Sequence, residues 1–107
     1  MPKIVHPKGP AWTADVEAAM DIIGNRARNE IIRYLNGHGP LRRGDIVEAV
    51  SASEASVAQH LISLEKSGVI VVDVVPGQRQ GRAPRYSIDV DRVKELMEAL
   101  RDYLLIR

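Results

Sequence analysis

Seven positions between 53 and 63 carry the side chains best suited to chemistry: Ser53, Glu54, Ala55, Ser56, Gln59, His60 and Ser63. They are hydroxyl, amide, imidazole, carboxylate and methyl groups. A glutamine amide can pair in bidentate fashion with an adenine edge, and serines bond bases or phosphates. A second group follows at Arg79, Arg82 and Arg85. It stands beside Gln78 and Gln80, with no acidic residue between Pro76 and Ser87. Gly77 and Gly81 let such a segment approach a surface closely. A basic loop of this kind lies along phosphates or enters a minor groove. Arg42 and Arg43 form a third basic spot, suited to phosphate but placed where a helix dipole prefers acids. Together these residues favour hydrogen bonding to double-stranded DNA over bond-breaking.

Catalysis finds little support. The sequence has no cysteine, no phosphate-cradling glycine loop opening a helix, no nucleophile elbow and no paired metal motif. Its three histidines, His6, His38 and His60, fall in an arm, a turn and a helix. A carboxylate-only site is weak and unselective for a transition metal. The chain is therefore expected to be no enzyme and to need no cofactor or metal. The net charge of +1 does not by itself indicate nucleic acid, so the local distribution of charge matters more.

The positioning elements follow from capping residues and apolar periods. At 107 residues, with 45% hydrophobic and 27% charged, the chain is expected to form one globular domain. Residues 1–11, with three prolines and no apolar period, read as a flexible arm, and residues 12–107 as the domain. Thr13 caps a first helix whose apolar face is Val16, Ala19, Met20 and Ile23. Asn25 caps a second, with Ala27, Ile31, Ile32 and Leu35, which ends at Gly37-His38-Gly39-Pro40. Leu41 enters the core before a short third helix, about 43–50, with Ile46, Val47 and Val50. Ser53 caps a fourth helix, about 54–67, with Val57, Leu61 and Leu64 inward, and Gly68 terminates it. Val69 to Val75 and Arg85 to Ile88 read as a hairpin. Asp89 or Asp91 caps a last helix bearing Val93, Leu96, Met97, Leu100 and Leu104.

The expected class is mainly α with a small β-hairpin, in the order α-α-α-α-β-β-α. A short helix, a tight turn and a capped helix form a helix-turn-helix, and the hairpin behind it forms a wing. With the fourth helix packed on Val57, Leu61 and Leu64, Ala55, Ser56, Gln59 and Ser63 point outward near its amino end. That end is the one a recognition helix inserts into the major groove. Ser53 can combine its cap with a phosphate contact. Glu54 either accepts from a cytosine amino group or complements the helix dipole. His60, at the edge of the inward stripe, is either a packed, hydrogen-bonded histidine or a base contact.

The stretch from Ile23 to Asp89 resembles the winged helix-turn-helix of the ArsR family of bacterial repressors. The likeness rests on Ile23–Ile32, Ser53–Leu61, Leu64–Ile70 and Arg85–Ile88. It implies a DNA-binding transcriptional regulator, a repressor by type. It also implies a homodimer joined through about residues 13–23 and 90–105. Metal-sensing relatives carry cysteines on the third helix or Asp and His pairs on the last, and neither set is present here. Ile62 stands where related sequences often place a lysine. With Glu54, it supports the alternative of a winged-helix module that binds protein without specific DNA binding. No apolar run approaches the roughly 20 residues that span a bilayer, so a cytoplasmic chain with no membrane contact is expected. A small-molecule effector is not legible in the sequence.

Overall fold

The computed structural model describes residues 11–74 and 83–105. Local capping starts most of the helices. Thr13 Oγ1 accepts from the Val16 N–H to begin α1 (Ala14–Ile23). Asn25 does the same through the Arg28 N–H for α2 (Arg26–His38). That helix closes on Gly39, whose φ of 73° suits a residue without a Cβ. Leu41–Arg42 is a two-residue strand, β1, followed directly by α3 (Arg43–Ala49). Ser53 caps α4 (Glu54–Lys66) through the Ser56 N–H. Then come β2 (Ile70–Val72) and β3 (Arg85–Ile88). Asp89, not Asp91, caps α5 (Val90–Leu104) by accepting from the Arg92 N–H.

This is the winged helix-turn-helix, α+β architecture expected from the sequence, with one addition. The sheet has three antiparallel strands in the order β1-β3-β2. Leu41 pairs with Tyr86 and Arg42 with Arg85 on one side of β3; Ile70, Val71 and Val72 pair with Ile88, Ser87 and Tyr86 on the other. The approach to the third helix is therefore a strand, and the order is α-α-β-α-α-β-β-α. A two-residue strand has too few positions to show a period of two, which is why sequence patterning passes over it. Strand β2 takes up Ile70–Val72 of the expected Val69–Val75, of which Val75 lies outside the described residues. Val69 already accepts from the Asp89 N–H, and after Val72 the Asp73 side chain takes the Arg85 N–H at 2.9 Å.

The core is aliphatic, joined by Tyr86. Ile31 and Leu35 from α2, Ile46 from α3, and Val57, Leu61 and Leu64 from α4 are all buried. Val69 and Ile70 close it from the sheet, and Leu96 and Leu100 close it from α5. Helix α1 contributes Val16, Ala19 and Ile22. The expected α1 face therefore rotates. Ile22 goes inward, while Met20 and Ile23 stay exposed, as do Met97 and Leu104 of α5. Packing of α1 on α5, absent from any local pattern, decides that rotation. Trp12 meets Tyr103 edge to face, with centroids 5.1 Å apart, at the far end of the same pair. Among the described residues no helix is long and apolar enough to cross a membrane.

Candidate nucleic-acid interface

Helix α4 is held at both ends and along one flank. Its inward stripe of Val57, Leu61 and Leu64 is wholly or nearly wholly buried. The turn before it is fixed from α2, where Glu30 accepts from the Ser51 N–H at 2.8 Å and from Arg26 at 3.2 Å. The Ser51 bond, followed by Arg26, holds the Glu30 carboxyl below the usual carboxylate range. Along the flank, Arg28 of α2 donates from Nε to His60 Nδ1 at 3.1 Å and from a terminal nitrogen to Ser63 Oγ at 3.2 Å. At the far end Gly68 turns the chain at φ 84°. There Arg92 of α5 donates to the Ser67 carbonyl at 2.9 Å and grips the Asp15 carboxylate with both terminal nitrogens. That grip lowers the Asp15 pKa and raises that of Arg92. One arginine thus joins α1, α5 and the end of α4.

With α4 fixed, its free face is short-chained and polar at the amino end. Ser53, Glu54, Ala55, Ser56 and Gln59 are exposed. Ser53 and Ser56 share a hydroxyl hydrogen bond of 3.0 Å, so the cap and the first turn form one rigid unit. Ser63 differs from the outward position expected. It is half-buried against Arg28, because the guanidinium fork reaches across from α2. His60 is also half-buried and hydrogen-bonded. Its pKa falls below the ordinary histidine value, first because burial penalises the charged ring and then because Arg28 is close. Ile62 is 59% exposed on the outer face.

The cations gather because of β1. Its pairing sets Arg42 opposite Arg85, and Arg43 is the next residue. All three are exposed. Together with Gly44, Glu54, Ala83, Pro84 and Tyr86, Arg42 and Arg43 line a recess of about 430 Å³. It lies where the starts of α3 and α4 meet the base of the wing. Arg43 stands 3.8 Å from Glu54, so the acidic residue at the start of α4 has a cation beside it. The pair is exposed and adds little stability, but it offsets the repulsion Glu54 offers to an approaching phosphate. Arg79 and Arg82 lie outside the described residues. Among the described residues no three His, Cys, Asp or Glu side chains converge as metal ligands.

Residues 25–71, the segment from the α2 cap through β2, match the family model described as bacterial regulatory protein, arsR family. The chain carries an ArsR-like winged helix-turn-helix. An ArsR-like regulator from Rhodococcus sp. RHA1 superposes with a TM-score of 0.65 at 19% identity, covering 82% of this chain and 77% of its own. NolR from Sinorhizobium fredii gives 0.60 at 21%, with 84% and 85% covered. The transcriptional repressor BigR from Xylella fastidiosa gives 0.58 at 14%, with 90% and 92% covered. At these identities the superpositions establish the ArsR-like fold. No curated protein matches the sequence. The matched family is one of regulators rather than of enzymes, in line with the expectation from sequence, and it supports a DNA-binding regulatory role.

Two residues that organise this ArsR-like site escape sequence reasoning. Glu30 and Arg92 act on partners 21 and 25 residues away, and Arg92 also on one 77 residues away. No periodicity or motif links such positions. Arg28 faces α4, through His60 and Ser63.

Proposed function

We propose that the chain is a sequence-specific, double-stranded DNA-binding transcriptional regulator, a repressor by type, that acts as a homodimer. The observation carrying this reading is the exposed amino-terminal face of α4, with Ala55, Ser56 and Gln59 exposed and Arg42, Arg43 and Arg85 clustered at its edge. In this reading α4 enters the major groove. Gln59 reads a base edge, Ser53 and Ser56 bond bases or phosphates, and Ala55 sits against the groove floor. The arginines meet phosphate, and Arg79 and Arg82 extend that contact along the wing. The arm expected over residues 1–11 falls, but for Ala11, outside the described residues.

The dimer reading rests on the second exposed surface. Val90, Met97 and Leu104 recur every seven residues and so form one line along α5. Met20 and Ile23 of α1 are exposed as well, and Leu105 and Trp12 add to them. A line of large exposed apolar side chains along one helix marks a contact surface, and a second copy of the chain is the partner of matching chemistry. The chain functions in the cytoplasm, where its DNA target lies.

One observation favours the alternative of a protein-binding module, namely the exposed Ile62 on the outer face of α4. Selection of duplexes from a random pool decides between the two. The regulator reading expects enrichment of a two-fold symmetric site, with half-sites about one helical turn, roughly 10 base pairs, or a multiple of it apart. A pool that stays random after selection, from protein that is folded, would overturn it.

A further inference from the structure

His60 is tied up on one side and free on the other. Its Nδ1 accepts the Nε–H of Arg28 at 3.1 Å. An arginine has no lone pair to offer, so Nδ1 must be the unprotonated nitrogen. A neutral imidazole then carries its single proton on Nε2. That nitrogen has no hydrogen bond to another described residue. Among the described residues no buried polar side-chain atom lacks a partner, so Nε2 reaches solvent. His60 lies four residues after Ser56, which puts the two on one flank of α4, one turn apart. Ser56 belongs to the exposed first turn.

We infer that Arg28 is a positioning residue that fixes His60 as the Nε2–H tautomer, so that α4 presents a ring N–H donor beside Ser56 to an acceptor on duplex DNA. The inference rests on the DNA-binding reading for the second half of that statement only. The first half concerns the free protein. The packed and the DNA-contacting roles of this histidine are then two ends of one ring rather than alternatives. Arg28 serves the second through the first, and it makes a second contact, to Ser63 Oγ at 3.2 Å, one turn further along α4. Arg28 is also the charged group whose field acts on the ring, adding to burial in favouring the neutral form. A guanine acceptor and a phosphate oxygen both suit such a donor.

The test has two arms. In the free full-length protein, long-range proton–nitrogen NMR reads each histidine ring, and the His60 signals are those lost in His60→Asn. The expected result is a pyrrole-like, protonated Nε2, an unprotonated Nδ1, and a titration midpoint below that of free histidine. Arg28→Ala is expected to raise that midpoint and to let the Nδ1–H form appear. A protonated Nδ1 in the wild type, or a midpoint unmoved in a folded Arg28→Ala protein, overturns the inference whatever the protein does with DNA. In the second arm, His60→Asn keeps an acceptor for Arg28 near the Nδ1 position and removes the outward donor. Its affinity for selected duplex is expected to fall about tenfold, the scale of one lost hydrogen bond. A larger loss on selected than on random duplex assigns a base edge, and equal losses assign phosphate. No loss on either overturns the DNA role of Nε2–H. A wild-type protein with the expected tautomer that binds no duplex overturns the DNA-binding reading itself, and the donor role with it.

Discussion

The two exposed surfaces of this chain differ in chemistry as much as in place. The amino-terminal face of α4 offers short side chains, an amide and neighbouring cations. The exposed residues of α1 and α5 include methionine, isoleucine and leucine. Both are borders of a single aliphatic core. On α4, the stripe of Val57, Leu61 and Leu64 is fully used inside the protomer, and what remains exposed is polar apart from Ala55 and Ile62. On α1 and α5 the apolar residues exceed what the core can take. Val16, Ala19, Ile22, Leu96 and Leu100 are consumed, while Met20, Ile23, Met97 and Leu104 are left over. A helix whose apolar residues stop at the core has a free face for solvent or a polar partner. One whose apolar residues continue past it has a face that gains free energy only when covered.

Disabling the apolar surface breaks the comparison with the largest effect. Met97→Glu combined with Leu104→Glu is expected to convert a dimer to a monomer in sedimentation measurements. Half-site binding without its linked partner then lowers affinity for a two-fold site by about 10² to 10⁴. A variant that remains dimeric assigns the dimer contact elsewhere. Next in size is a cut into the stripe the two surfaces share. Leu64→Ala removes a wholly buried side chain and is expected to cost about 2–5 kcal/mol in denaturant unfolding. A smaller loss would mean the core relaxes around the site.

Gln59→Ala acts on the polar surface alone. It is expected to cost about 1–3 kcal/mol on selected duplex and much less on random duplex, with oligomeric state unchanged. Equal loss on both would remove Gln59 from base reading. The smallest effect is on pH dependence. The Asp15 and Glu30 carboxyls are held below their ordinary values by Arg92 and by the Ser51 N–H. Each carboxylate therefore stabilises the fold at pH above the unfolded carboxylate pKa, about 4. That stabilisation disappears as pH falls through the lowered folded value. Asp15→Asn and Glu30→Gln are each expected to flatten the acid limb of a stability–pH curve. An unchanged limb would show that neither bond survives in solution.

Much of this architecture is legible in the sequence because it is decided locally. Thr13, Asn25, Ser53 and Asp89 cap their helices with side-chain oxygens and backbone N–H groups only three residues apart. Gly39 and Gly68 mark positive φ where the pattern stops. The α4 stripe is read correctly because one helix face is wholly buried. What escapes is decided across the chain. Strand β1 is too short to show a period, yet it brings Arg42 to Arg85. The rotation of α1 depends on α5. Ser63 turns out to face Arg28, and Arg92 reaches Asp15 across 77 residues. Of the candidate site, the exposed first turn of α4 is readable from helical geometry alone, while the links that hold it are not.

The most direct test of the central claim is fluorescence anisotropy of the intact protein on random duplex DNA across a salt series. If the arginine cluster and the α4 face form a nucleic-acid surface, binding is tight at low salt, and log affinity falls linearly as log salt rises, because bound cations release counterions from phosphate. Folded protein that leaves the anisotropy unchanged at the lowest salt would contradict the account. The exposed face of α4, Ile62 included, would then belong to a protein partner instead.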